Sequence, residues 1–296
     1  MRISTSQMQA RGVAAMLDRQ SDLSKTQQQV ATGKRILSPS DDVYGSTQIL
    51  ALNKVIDTHT QYRENSDVVE ARLNQEEIAL TQNIDVLQRV RELAVQAENS
   101  TYTVANRANI AAEVREILNE TLSVANSVDS NGDYIFSGFN VDTAPFTATE
   151  VPAGSGLFDY AYTGDLGQRN VQIGETRFMP TGDPGQNVYM DIPETGGGTQ
   201  NIFETLEQFA VALETGAPSG NIINDVDLAL NHMSEFRTLT GARQNAIESH
   251  RALNEDIIFQ GQKTLSSIED LDFAEAISRL NLQLTTLQAA QQSSQL

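Results

Sequence analysis

The stretch FAEAISRLNLQLTTLQAAQQ, residues 273–292, decides the fold. Within it Ile277, Leu280, Leu284 and Leu287 fall at spacings of three, four and three, with Ser, Asn, Gln and Thr between them. That spacing draws one narrow apolar stripe along a helix. A single helix of this length is marginal in water, so the stripe needs a partner. A matching pattern lies at the other end of the chain. From residue 13 to 30 the seam positions read Val13, Met16, Gln20, Leu23, Gln27 and Val30, again three and four apart. Two of these six are Gln, and polar residues at seam positions lower stability while specifying partner and register.

Between the two ends the helical period persists. Leu73, Leu80, Leu87 and Ala94 recur every seven residues, with Val69, Val90 and Ala97 beside them, and neither Pro nor Gly occurs between Ser46 and Asn131. Ile110, Val114, Ile117, Thr121, Val124 and Val128 give a further helix over about 104–128. At 1.5 Å per residue a 50-residue helix is ~75 Å long, more than a compact domain accommodates. The first helix ends at TGKRILSPSDD, residues 32–42, where Gly33 and Pro39 break it and Ser40 or Asp41 supplies the next N-cap.

The period changes at DSNGDYIFSGFN. Residues 129–198 hold most of the Gly and Pro, and ten Asp or Glu against Arg169 and Arg177. Phe158, Tyr160 and Tyr162 alternate with small or polar residues, GDLG at 164–167 supplies turn chemistry, and Arg169, Val171 and Ile173 continue beyond it. The pattern predicts a hairpin, and Val188, Met190 and Ile192 a further strand. Helical period returns at about 200, with Asn201 and Glu204 spaced as a capping box, a PSG turn at 218–220 and a helix over about 222–266.

The expected fold is mainly α: a rod of long antiparallel helices with an inserted small antiparallel β domain. Its expected parts are 1–44, N-terminal assembly helix and linker; 45–130, first part of a long-helix bundle; 131–199, the β-rich insert; 200–268, second part of the bundle; and 269–296, C-terminal assembly helix. The expected assembly interface is Val13, Met16, Leu23 and Val30 with Ile277, Leu280, Leu284 and Leu287.

Composition agrees with thin seams rather than a thick core: 39% of the 296 residues are hydrophobic, 6% are aromatic, and there is no Trp. There are no cysteines, so disulfides and thiolate metal sites are excluded. No run of 18 apolar residues occurs, so no membrane partner is expected. The opening MRISTSQMQARGVAAMLDRQ lacks the apolar core and cleavage site of a conventional signal peptide. A net charge of −19 argues against nucleic acid. The charge is uneven, because residues 1–40 carry six basic and two acidic groups. Those charges are scattered through polar sequence without bulky aromatics, which reads as a solvated helix face rather than a lipid-binding arm.

No catalytic, cofactor-binding or metal site is expected. HTQYR, HMSEF and HRALN, around His59, His232 and His250, all fail the HExxH pattern, and each His is expected to be partly exposed. DSNGD begins like a calcium loop but has Tyr134 at the Gly position and Asn140 at position twelve. GGG at 196–198 is not followed by Lys and a hydroxyl residue, and no GxSxG is present. Asp41 and Asp42 are adjacent at a helix start, where capping accounts for both.

Several stretches resemble the flagellin superfamily: MRISTSQM, TGKRILSPSDD, AAEVREILNETLSVANS at 111–127, GDYIFSGF at 132–139, YTGDLGQRNVQIG at 162–174 and DFAEAISRLNLQLTTLQAAQQS at 272–293. The internal motifs GDYIFSGF and GQRNVQIG point to the flagellin-like proteins associated with the hook. The resemblance implies a structural subunit of the bacterial flagellum, exported unfolded with an uncleaved N-terminus and assembling as a ring between hook and filament. Its implied partners are copies of itself, a hook-side junction protein, filament flagellin, and an export chaperone on the C-terminal helix. It further implies that the terminal helices pair in the inner layer and that the β insert faces solvent. Family members also carry a short hydrophobic tail after the last helix, where this sequence reads QQSSQL. Two other readings remain beside it: filament flagellin itself, and recognition of a surface ligand by the β insert. Thermodynamics suggests that the ends are loosely placed in isolated protein. Four buried Leu or Ile side chains contribute roughly 1.5–3 kcal/mol each, whereas ordering ~20 residues costs roughly 1–2 kcal/mol apiece.

Overall fold

A computed structural model describes residues 5–98, 102–216 and 220–293. The first residues of MRISTSQM, the last three of QQSSQL and two residues of the PSG turn fall outside these. Six α-helices are described: α1 Thr5–Thr32, α2 Val43–Ala97, α3 Val104–Ala125, α4 Ile202–Thr215, α5 Ile222–Glu269 and α6 Phe273–Ser293. Between α3 and α4 lie the short strands β1 Phe146–Glu150, β2 Phe158–Tyr162, β3 Asn170–Gln172, β4 Phe178–Pro180, β5 Ile192–Pro193 and β6 Thr199–Gln200. The protein is thus mainly α with a small antiparallel strand region. No described helix is long and apolar enough to cross a membrane.

The chain divides into two compact units, Met1–Gln61 with Asn254–Leu296, and Tyr62–Leu253. In the second unit the heptad residues Leu73, Leu80, Leu87 and Ala94 are all fully buried. Leu80, Leu87 and Ala94 are joined by the inward residues of α3 (Ile110, Val114, Ile117) and of α4 (Phe203, Leu206, Phe209) and by Val226 and Met233 of α5, whereas Leu73 packs with Val69, Ile173, Met179 and Ile247. Asn201 caps α4 by accepting from the N–H groups of Phe203 and Glu204, as its position before Glu204 predicts.

The strands seal one end of this core with aromatic rings. Tyr189 meets Phe136 edge-on at 5.2 Å and stacks on Phe203 at 5.8 Å. Phe146 touches both Tyr189 and Phe203 at 5.2 Å. Rings at these separations add to the burial they provide. Tyr160 enters the same cluster, whereas Phe158, its neighbour two residues earlier, is exposed.

Strand pairing differs from the sequence expectation. β2 pairs with β1, β3 with β4, and β5 with β6, all antiparallel. GDLG therefore does not close a hairpin. Val188 and Met190 lie in a π-helical turn, Gln186–Met190, rather than in a strand. The physical reason is that GDLG has another structural use. Asp165 accepts from the Phe139 N–H at 3.0 Å through its carboxylate, and its own N–H donates to the Ser137 carbonyl at 3.1 Å. The loop thereby docks on SGF of the GDYIFSGF motif, and the two stretches that carry the family resemblance meet in space. Gly138 makes this possible: it has φ +73, and a Cβ there would stand 2.3 Å from the Asp165 carbonyl oxygen.

DSNGD forms a turn after α3. The Asp129 carboxylate accepts from the N–H groups of Asn131 and Asp133 at 2.7 and 3.1 Å. Arg72 reaches the carboxylates of Asp129 and Asp133 at 3.5 and 3.6 Å, so a guanidinium faces them.

Gly132 and Gly138 separate backbone strain from steric closure. Both have positive φ, but nothing lies within 4 Å of a Cβ at Gly132. Alanine at either position meets backbone strain of about 1–2 kcal/mol. Gly138→Ala must also displace the Asp165 carbonyl, costing about 1–3 kcal/mol more. Urea unfolding of the two variants should show that difference, and equal losses would contradict this role for Gly138.

Candidate functional site

The terminal helices form the candidate site. Within the first unit α1 packs along α6. The more buried side of α6 reads Ala276, Leu280, Gln283, Leu287 and Ala290, a regular alternation of four and three. On α1 the buried or half-buried positions are Met16, Leu23, Thr26, Gln29 and Val30. Five of the eight expected interface residues therefore lie on the paired side: Met16, Leu23, Val30, Leu280 and Leu287. Val13, Ile277 and Leu284 do not, with 56%, 47% and 37% of their surfaces exposed. Leu17 and Leu282 are also exposed, at 61% and 68%. Each helix thus carries a covered seam and a separate uncovered apolar row. The covered seam includes small and polar residues that a search for Leu and Ile passes over: Ala276, Gln283, Thr26 and Gln29. The heptad alternation itself was the available signal.

The polar seam residues are bonded where the structure places them. Gln29 donates from Nε2 to the Arg35 carbonyl at 2.6 Å and accepts from Arg279 at 3.3 Å. Thr26 donates to the Asp22 carbonyl at 3.0 Å, one turn back.

The two linkers hold the pair in register. The Arg35 N–H donates to the Glu269 carbonyl at 2.7 Å, and the Leu271 N–H to the Gly33 carbonyl at 2.9 Å. These bonds make a short antiparallel bridge centred on Lys34 and Asp270. Gly33 sits at φ +72, and the Phe273 ring would lie 3.5 Å from a Cβ placed there. TGKRILSPSDD and LDF are thus one joint, built from sequence more than 200 residues apart.

Charge closes this joint. Lys34 pairs with Glu269 at 2.6 Å, and Lys25 with Asp41 at 2.6 Å. Arg35 donates to the Ile268 carbonyl at 2.9 Å, satisfying the last turn of α5. Three basic residues of the N-terminal segment are therefore committed within the fold. The N-cap of α2 is Asp42, which accepts from the Gly45 N–H at 2.8 Å, rather than Ser40 or Asp41. Asp41 instead gathers the linker, accepting from the Leu37 and Ser38 N–H groups at 3.1 and 3.0 Å. Asp272 caps α6 through the Ala274 and Glu275 N–H groups.

Below the joint, α2 and α5 run antiparallel and approach closely at Gly261, where a Cβ would lie 2.9 Å from Ile56. His59 is buried here and meets the side-chain oxygen of Asn254 at 2.8 Å. This corrects the expectation of a partly exposed His59: a face that is polar in sequence is closed by a long helix returning from the far end of the chain.

Comparison with known proteins agrees with this architecture. The model of the bacterial flagellin N-terminal helical region matches residues 3–141. Flagellar hook-associated protein 3 of Escherichia coli (strain K12) is 26% identical, the match covering 98% of this chain and 95% of that protein. Over nearly its whole length the chain is thus similar to hook-associated flagellar proteins. The protein of the same description from Salmonella typhimurium is 27% identical over the same shares of the two chains. Among solved structures, flagellar hook-associated protein 3 of Legionella pneumophila superposes with a TM-score of 0.68 at 20% identity, covering 74% of this chain and 98% of its own, and at that identity it speaks for the fold. GKRI and DFAEAIS, two of the stretches that carry the resemblance, are the ones that form the joint.

The joint has a pH signature. Its hydrogen bond to Lys25, followed by the backbone donor at Ser38, lowers the Asp41 pKa from 3.8 to about 2. A depressed folded value gives a stabilising contribution that is present above pH 3.8 and lost as pH falls through about 2. Thermal unfolding of Asp41→Asn should trail the parent at neutral pH and converge with it in strong acid. A gap that persists below pH 2 would contradict this assignment.

Proposed function

We propose that this protein is a structural subunit of the bacterial flagellum that forms the ring joining hook to filament. The observation that carries this reading is the uncovered apolar row on α1 and α6, beside a pairing seam that is itself part polar. Burying Val13, Leu17, Ile277 and Leu284 between neighbouring copies gains roughly 1.5–3 kcal/mol per side chain. A ring repeats that gain at every interface, and a heterologous contact that closes on itself stops at a fixed number of copies. Match over nearly the full length of two hook-associated proteins supports the junction position rather than the filament proper.

On this reading the paired termini form the inner contact layer, and the strand region between α3 and α4 faces outward. Neighbours along the axis are a hook-side junction protein and filament flagellin. The protein works outside the cell and reaches its position by export through the growing organelle. An export chaperone covers α6 before assembly, since an apolar row of this kind is an aggregation hazard in a free subunit.

Substitution separates the two faces. Ile277→Asp and Leu284→Asp lie on the uncovered row and should shift monomer stability by no more than about 0.5 kcal/mol. They should nevertheless abolish filament attachment when the variant is the cell's only copy. Leu280→Ala, on the covered seam, should loosen α6 in the monomer and weaken assembly less. Hook-bearing cells without filaments are the expected outcome for the Asp variants. Normal motility with both would contradict the proposal, and long filaments grown from the pure protein alone would favour flagellin proper.

A further inference from the structure

The second unit buries two carboxylates around one guanidinium. Glu76 on α2 is fully buried, and Asp183, in the loop after β4, is nearly so. Arg243 on α5 forks onto Asp183, donating to Oδ2 at 2.8 Å and Oδ1 at 3.0 Å. Gln168 adds a third donor to Asp183 Oδ1 at 2.7 Å. Glu76 receives far less. Its Oε1 accepts from the Asp183 N–H at 3.2 Å, and its Oε2 is buried with no hydrogen-bond partner. Gly182 packs beside that oxygen, at 3.5 Å from where a Cβ would stand.

Donor counting assigns the proton. Arg243 and Gln168 donate three N–H bonds to the Asp183 carboxylate, two of them from a cation, so Asp183 is the anion. A second anion at Glu76 would be buried against the first with no cation of its own. The remaining groups facing this site do not supply one. Tyr189, from the π-helical turn, is neutral and accepts from Asn83 at 2.7 Å. Arg72, one turn before Glu76 on α2, faces Asp129 and Asp133. Arg72 and Arg169 line a small cleft with Thr181, Gly182 and Asp183.

We propose that Glu76 is a buried carboxylic acid acting as an alkaline release: α2, the loop around Asp183 and α5 stay locked together only while this side chain keeps its proton. Losing the proton places two carboxylates against one guanidinium in a dry site. The loop must then open to admit water. The segment it leads into carries Val188 and Tyr189 into the aromatic core, so opening loosens the end of the core that the strands seal.

Burial and the Asp183 charge act in the same direction at Glu76. Burial, and then the charge of Asp183, raise the Glu76 pKa from 4.5 to about 8. The folded state therefore holds a proton that the unfolded chain releases between pH 4.5 and 8. Over that window stability falls as pH rises, and above it the contribution is level.

Three readouts on the full chain test this. Infrared spectroscopy of the parent protein needs no variant: a protonated buried carboxyl band should be present at neutral pH and disappear with a midpoint near 8. In Glu76→Gln the band should be missing. The thermal midpoint of Glu76→Gln should rise relative to the parent from mildly acid buffer up to about pH 8 and hold that gap above it. Above that pH, amides 181–191 should exchange several-fold faster in the parent than in Glu76→Gln, with no difference in mild acid. Absence of the band from the parent at neutral pH would overturn the proposal, as would a thermal gap independent of pH or equal exchange at alkaline pH.

Discussion

Two helices packed side by side cover only one face of each, and most of what this protein does follows from that limit. α1 and α6 bury a seam of Leu23, Leu280 and Leu287 interrupted by Thr26, Gln29 and Gln283. Apolar residues of similar size remain in water on neighbouring faces. A helix pair of this composition gains less from burial than the entropy it loses on ordering. The linkers offset part of that deficit. The bridge at Lys34 and Asp270 and the charges of Lys25, Lys34 and Arg35 fix where the helices start and stop. They do so with polar bonds, which set register at modest energetic gain. On the proposed function, neighbouring copies supply the apolar area still lacking.

The second unit stands in contrast. It has four helical stretches around a large core and a smaller second cluster, aromatic rings sealing one end, and strands whose loops lock on each other through Asp165 and Gly138. On the proposed function, the same chain holds one part with its own core and one part whose ordering is completed by assembly. Polar seam residues suit the latter, because a seam too apolar would fold or aggregate before the right neighbour arrived.

Much of this was legible in the sequence, for identifiable reasons. The seven-residue spacing from Leu73 to Ala94 names a buried face because a helix allows no other reading, and all four residues are fully buried. Asn201 before Glu204 names a cap through local hydrogen bonds. Readings failed where distant chain decides the outcome. GDLG has the chemistry of a hairpin turn, yet its carboxylate is used by the Phe139 N–H, and strand partners are set by that docking. His59 reads as a surface residue until α5 brings Asn254 to it. At the terminal site the partner helices were legible but their rotation was not: Ile277 and Leu280 are three residues apart, and only Leu280 faces inward. A seam that accepts Ala and Gln as readily as Leu leaves the choice of face to packing. The buried acid at Glu76 was likewise silent, since its neighbours Asp183 and Arg243 are far away in sequence.

Amide hydrogen exchange, on the isolated subunit and on the same protein within the assembled organelle, tests the central claim most directly. The account predicts that α1 and α6 exchange quickly in the free subunit, while the helices of the second unit are already protected, and that both terminal helices become strongly protected on assembly. Strong protection of α1 and α6 in the free subunit, unchanged by assembly, would mean that the pair is sufficient by itself and would contradict the account.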